Sequence, residues 1–480
     1  MSRAEKAEIW FFVLVALLLR VGLYLAFAGR AHADETFQYL EQAGRLLGHP
    51  GIVPWEYVMG VRSWVLPGIV AGILWSARLL SADPLFGIEA VSVAFAALSV
   101  ATVPLSYRFG RAKGGRAAAI VCACLTATTV ELVYLAPHPL PDTLAAPLLF
   151  GAIYAADPGG EAPRPWRFAL AGVLFGCCLV LRIQLAPAVM VGMLLAGGRR
   201  FRERLVPMLL GAAVPLLLSG LLDWVTLGLP FQSVWLYVWM NWAEGAAGTF
   251  GTSPWYQYFT FLRSGWAVLL LPAVAFAALG ARRAPVLAAV VLAMLVSFSV
   301  VGHKEFRFLY PALPPLATLL GLASAEAASA AAARLGRPVA ARRLGIGLAL
   351  FWTGAWAFYG TLGPARHYWH AGLSVIGAMR IVDADPRACA LAYDPADRWA
   401  NGGGYSALRP GLPLFGFRPG EGRRQTAAFD YVFSVSGRDF APFGFTRLAC
   451  WKRDHVCLWH RPGGCDPFAG RPLEVTRRPG

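Results

Sequence analysis

The chain has 480 residues, 57% of them hydrophobic and only 15% charged, with a formal net charge of +16. A soluble globular protein is nearer roughly 45–50% apolar and about 25% charged. The deficit of charge excludes a disordered chain, a nucleic-acid arm protein and most cytosolic enzymes of this size. It points to a polytopic membrane protein, in which the placement of the basic residues carries more meaning than their sum. The eight cysteines form no CxxC pair, so no metal ribbon is written in the sequence.

Apolar runs of about 17–25 residues are long enough to cross a bilayer as helices. Eleven spans are predicted: 9–28, 87–107, 117–135, 142–156, 168–182, 184–196, 205–222, 264–280, 285–301, 308–323 and 344–362. The fourth and sixth are short and need shelter among other helices. The first ends near Ala31-His32-Ala33, which imitates a signal-peptidase site. Its apolar run has the length of a full span and contains Arg20, so a retained span is expected. With the N-terminus inside, the segments 1–8, 108–116, 157–167, 197–204, 281–284 and 324–343 are cytoplasmic. They are several-fold richer in Lys and Arg than the opposite segments, as the positive-inside rule requires. Arg199, Arg200, Arg202 and Arg204 are therefore read as topology determinants.

The unusual residues collect in the outer segments. The 29–86 loop begins with His32-Ala33-Asp34-Glu35, and Phe37, Leu40, Ala43, Gly44 and Leu47 follow at helical spacing. That pattern predicts a short amphipathic helix at the interface. Asp34 is then either its cap or a carboxylate at the mouth of an apolar cavity. Arg182 interrupts Leu179-Val180-Leu181 and Ile183 at the outer end of its span. The 223–263 loop carries Asp223, Asn241, Glu244 and an aromatic set with Trp235, Trp239, Trp242, Trp255, Tyr256 and Tyr258. These aromatics suit a headgroup belt, or a platform for sugar rings. The 302–307 segment places His303, Lys304, Glu305 and Arg307 between two apolar spans. A simple turn has no need of all four, and ionisable residues at a membrane edge are commonly functional.

The last span delivers a tail of mixed character to the outside. It holds Cys389, Cys450, Cys457 and Cys465, which allow one or two disulfides with three possible full pairings. The alternation Tyr431-Val432-Phe433-Ser434-Val435 predicts a strand. Cys122, Cys124, Cys177 and Cys178 lie in spans as small apolar filler.

This arrangement suits transfer of a sugar from a lipid phosphate. Transfer needs a carboxylate to take the acceptor hydroxyl's proton and cations to stabilise the departing phosphate. Asp34 or Glu35 fits the first role, and His303, Lys304 and Arg307 the second. Neighbouring residues on a helix point about 100° apart, so one of the two carboxylates is expected to face the acceptor.

The order His32-Ala33-Asp34-Glu35, Phe37-Gln38, Glu41, Trp55-Glu56-Tyr57 and Arg62-Ser63 before Pro67 resembles the first outer loop of glycosyltransferase family 22. The run His303-Lys304-Glu305-Phe306-Arg307-Phe308 with Tyr310-Pro311 matches that family's HKE-x-RF signature. Asp223, Gly228, Asn241 and Gly251-Thr252-Ser253-Pro254-Trp255-Tyr256-Gln257-Tyr258 are similar to its central region. The resemblance runs from about residue 10 to residue 330 and is nearest the branch that adds the third mannose of the GPI anchor. Two positions depart from the family pattern: Ala33 replaces the proline of HPDE, and Ser253 stands where histidine is common. The Arg-, Gly- and Ala-rich composition suits a high-GC bacterium, so the acceptor of the GPI pathway does not carry over.

The resemblance implies an all-α polytopic GT-C fold of about eleven transmembrane helices, with a small mixed α/β extracytoplasmic domain. The expected division is 1–362 for the transferase domain and 363–480 for the outer domain. It implies a mannosyltransferase moving mannose, or a similar hexose, from a polyprenyl-phosphate donor to a glycan or glycolipid. A β-linked donor would give an α-linked product in one inverting step, without a metal or other cofactor. Asp34 is the expected base and Glu35 its alternate; His303, Lys304, Arg307 and Arg182 hold the donor phosphate. Glu56, Arg62, Asp223, Trp255 and Tyr256 organise the sugar or acceptor, and Glu305 orients Lys304 or Arg307. The expected location is a bacterial cytoplasmic membrane, with N-terminus inside and the site outside. A transporter or flippase of a lipid-linked sugar is the competing reading, weakened by the absence of an internal repeat.

Overall fold

The computed structural model describes residues 1–157, 164–418, 425–466 and 468–474. Part of the predicted 157–167 segment and of the predicted 363–480 domain lies outside the described residues. The chain forms two compact units. The first comprises residues 1–23, 95–137 and 141–368, and the second 24–94, 138–140 and 369–480.

The first unit is helical, and each of its predicted apolar spans lies on helix. Arg3–Ala26, Pro84–Thr128, Phe201–Leu227, Gln257–Gly280 and Phe306–Arg334 are long and apolar enough to cross a membrane. Pro165–Leu181, Ile183–Gly197 and Pro285–Val300 are shorter apolar helices. The predicted spans at 142–156 and 344–362 correspond to Pro141–Ala156 and Ala341–Thr361. The protein is an integral membrane protein with many helices.

Close helix contact rests on small residues, as it does where no hydrophobic force distinguishes helix from lipid. A methyl added to Gly172 on Pro165–Leu181 would collide with the Met208 carbonyl on the helix Val206–Leu227. Arg20 is fully buried and donates to Ser99 Oγ (2.8 Å) and the Thr126 carbonyl (3.1 Å), which suits a packed helix. Basic residues from separate predicted cytoplasmic segments converge on one acidic pair. Arg111 meets Glu5 at 2.6 Å, and Arg116 and Arg342 meet Glu8 at 2.8 and 3.4 Å. Those segments therefore share one end of the unit.

The second unit combines the first predicted outer loop with the tail. Its sheet has strands β1 (Leu391–Asp394), β2 (Leu414–Gly416), β3 (Tyr431–Ser434), β4 (Thr446–Trp451) and β5 (Val456–His460). Their order is β2-β1-β3-β5-β4, with β2, β1 and β3 parallel and the rest antiparallel. The strand predicted at 431–435 is β3, and it is buried along its whole length. Phe37 and Ile52 of the loop share a core with Met379, Leu391, Tyr393 and Phe433 of the tail. Cys389 pairs with Cys465 and Cys450 with Cys457, which selects one of the three possible arrangements.

Two local expectations change. The helix predicted to lie flat at the interface is Glu35–Leu40, π-helical, followed by Glu41–Leu46; residues 35–44 are buried on every side. Its polar positions are enclosed because the tail packs over them. The 29–86 segment also contains an apolar helix, Val65–Arg78, where the sequence suggested only loop.

Candidate active site

In the second unit the chain turns at residues 30–35 to enter the π-helix, a geometry that recurs at functional sites. Asp34 stands at the cap position, yet its side chain makes no capping hydrogen bond. It lies 3.4 Å from His32 Nδ1, and its side chain is 19% exposed. Glu35 faces inward. Its Oε1 accepts the His32 backbone N–H at 2.6 Å, and its Oε2 lies 2.8 Å from His138 Nδ1. Adjacent carboxylates thus receive different surroundings, as the helical offset requires.

The rest of this cluster braces the turn. Arg30 donates to the Gly402 carbonyl (2.6 Å), the Ala400 carbonyl (3.0 Å) and Thr36 Oγ1 (3.2 Å). It brings positive charge toward Glu35 and Asp34. Glu56, on the short helix Trp55–Val58, accepts from Gln38 Nε2 at 3.1 Å. Burial pushes its carboxyl pKa up, Arg62 opposes that, and the charge of Asp34 adds to it. Glu56, Arg62 and Asp34 therefore feel one another's charge. Glu41 is fully buried and accepts the backbone N–H groups of Ile52 (2.7 Å) and Ser406 (2.6 Å). Burial pushes its carboxyl up to about 7.

In the first unit the 302–307 segment joins the 251–253 turn. Ser253 N–H donates to the Gly302 carbonyl at 2.9 Å, and Lys304 Nζ donates to the carbonyls of Ser253 (3.0 Å) and Val301. Glu305 sits between two partners, with His303 Nε2 at 2.9 Å and Arg307 Nε at 2.6 Å. That hydrogen bond is the main reason the His303 pKa is raised, while burial lowers that of Lys304. Arg182 donates to Asp142 Oδ2 at 2.7 Å and lies 4.1 Å from the centre of the Phe308 ring. Tyr258 is buried beside this group, within electrostatic reach of Arg182, Asp142 and Glu305.

The placements give several of the expected site residues defined partners. Glu305 orients Arg307 and His303, whereas Lys304 is tied to carbonyls because the turn encloses its ammonium. Asp223 is fully buried, and its Oδ2 accepts from Ser233 N–H (3.0 Å) and Oγ (2.6 Å). It joins the end of Val206–Leu227 to the start of the helix Gln232–Trp242. Trp255 and Tyr256 are exposed at 67% and 50%, with their rings 5.7 Å apart.

Sequence reasoning missed His138 and Asp142. Both lie in Pro137-His138-Pro139-Leu140-Pro141-Asp142, where residues 136–141 read as a short outer connection and Asp142 as the start of the span 142–156. The available signal was a His and an Asp held among three prolines, a rigid turn able to fix side-chain direction. Among the described residues, Cys389, Asp430 and Cys465 come close enough to share a metal, but the two sulfurs are joined as a disulfide.

A helical membrane body together with a small mixed sheet is the GT-C fold. ArnT of Cupriavidus metallidurans, in a crystal structure bound to undecaprenyl phosphate, superposes with a TM-score of 0.65 over 97% of this chain and 99% of that one, at 13% identity. The Archaeoglobus fulgidus oligosaccharyltransferase gives 0.51 over 91% of this chain and 69% of that one, at 12% identity. Residues 10–355 match the model of the Alg9-like mannosyltransferase family, and the chain belongs to that family. Relatives include mannosyltransferase APTG1 of Arabidopsis thaliana, 25% identical over 65% of this chain and 58% of that protein. GPI mannosyltransferase 3 of Drosophila melanogaster is 28% identical over 62% of this chain and 54% of its own. The chain thus spans little more than half the length of the curated relatives it matches.

Proposed function

We propose that this protein is a membrane glycosyltransferase that moves mannose, or a similar hexose, from a polyprenyl phosphate to a glycan or glycolipid acceptor. The observation that carries the reading is the division of labour between Asp34 and Glu35. His138 and the His32 amide hold Glu35, while the Asp34 side chain, partly exposed, is not used as a cap. A base must reach the acceptor proton, and Asp34 meets that need.

In the proposed step the acceptor oxygen bonds to the anomeric carbon as its proton passes to Asp34. The bond from that carbon to the donor phosphate breaks, and the phosphate leaves with the electron pair. Arg307, oriented by Glu305, and a protonated His303 balance the developing charge. Arg182, fixed by Asp142, adds a further guanidinium, and Lys304 chiefly holds the turn. A single displacement inverts the anomeric centre, so a β-linked donor gives an α-linked product. The membrane is proposed to be a bacterial cytoplasmic membrane, with these residues on the extracytoplasmic side.

The test is transfer by the reconstituted protein from purified polyprenyl-phosphate mannose to extracted host lipids and glycans. An α-mannosylated product dependent on Asp34 supports the reading. Transfer from a glucose or arabinose carrier instead would keep the mechanism and replace the sugar. Near-normal turnover by Asp34→Asn would remove Asp34 as the base.

A further inference from the structure

A cleft of about 70 Å³ opens within the second unit, behind the helix that begins after Asp34. Space on this scale holds several waters or one small polar group such as a phosphate. Leu40, Leu74, Ile88 and Leu408 give it apolar walls, while His49 and Arg78 also line it. Burial lowers the His49 pKa, and the nearby Arg78 charge lowers it further. Neither side chain has a hydrogen-bond or ion-pair partner among the described residues.

The other charges of the cleft are already engaged. Glu41 accepts the amides of Ile52 and Ser406, and Asp83 caps the following helix through Leu85 N–H at 2.9 Å. The Arg409 guanidinium donates to the carbonyls of Asp383 (3.0 Å), Asp385 (2.8 Å) and Ala388 (2.7 Å). Its backbone N–H donates to the Asp383 carboxylate at 2.6 Å, so Arg409 is held in place with a negative charge beside it. The cleft therefore presents two basic groups with free donors beside apolar surface. An oxyanion satisfies both, and a guanidinium suits phosphate oxygens through its paired donors.

We propose that this cleft binds a phosphate ester, held by Arg78 and His49, with its apolar part against Leu74 and Leu408. The ester is either a lipid headgroup or a soluble sugar phosphate. Leu79 and Leu80, 70% and 81% exposed, follow Arg78 directly and offer a surface for acyl chain. The ligand belongs to a site other than the turn at 302–307, and its binding needs no transfer chemistry.

The full-length protein in neutral detergent is titrated with dioctanoyl phosphatidylglycerol, glycerol 1-phosphate and dioctanoylglycerol, beside Arg78→Gln and Asp34→Asn. Arg78 is exposed, and an unchanged melting temperature confirms that its variant folds. The expected result is phosphate-dependent binding that weakens about tenfold in Arg78→Gln and is unchanged in Asp34→Asn. Binding of both phosphate probes identifies a soluble ester as sufficient; binding of phosphatidylglycerol alone identifies a lipid headgroup. Equal affinity for dioctanoylglycerol, equal binding by Arg78→Gln, or no binding of either phosphate probe overturns the proposal. Loss of transfer in Asp34→Asn with binding intact separates this site from the proposed reaction.

Discussion

The two charged clusters solve the problem of holding ions near a membrane in opposite ways. In the first unit every cation of the candidate site has a tether: Arg182 to Asp142, Arg307 and His303 to Glu305, and Lys304 to carbonyls. In the second unit, Arg30, His138 and the His32 amide immobilise the turn around Asp34, and the Asp34 carboxylate is left partly exposed. Tethered cations keep direction while awaiting a new charge, which is what electrostatic preorganisation requires. A base must instead change protonation state and contact its substrate. In the proposed reaction this difference gives Asp34 the role of base and Glu35 that of holding the turn.

The largest expected effect breaks the comparison at the base. Asp34→Asn should lower turnover by about a thousandfold with an unchanged melting temperature. Glu35→Gln should keep more activity, because its role is to hold the turn; equal losses would show that the two are not divided as described. Next comes the tether in the first unit. Arg182→Ala leaves Asp142 as a buried charge without its partner and should cost about 3–5 kcal/mol of stability. Asp142→Asn in the same chain should restore much of it, as read by thermal denaturation in detergent.

A smaller effect is expected at His138. His138→Ala should reduce kcat about tenfold by releasing Glu35, while His138→Gln, which can still donate, should recover part of it. Recovery absent from kcat but present in the melting temperature would make the contact purely structural. The smallest effect concerns pH. Glu41 titrates near 7 in the folded chain against an ordinary 4.5, so the folded state keeps a proton that the unfolded state releases. The associated stability is complete below about 4.5 and is lost as pH rises toward 7. Glu41→Gln should flatten that slope in denaturation measured between pH 4.5 and 7.5.

Trp55-Glu56 and the 302–307 segment show how much of the site was legible. The 302–307 segment stood out because ionisable residues next to apolar runs are costly unless used, and Trp55-Glu56 stood out through the family resemblance. His138 and Asp142 did not stand out, since their partners Glu35 and Arg182 are 103 and 40 residues away in sequence. Asp223 was conspicuous in the sequence, but its burial and its Ser233 partner could not be read there.

Composition and apolar run length alone established a helical membrane protein, because bilayer thickness fixes both the length and the polarity of a span. Local sequence also contained the family motifs and the strand at 431–435. The tertiary structure decided the rest: which carboxylate faces inward, which cysteines pair, and that the first outer loop shares a core with the tail. Those outcomes depend on contacts between residues far apart in the chain, and local spacing carries no record of them.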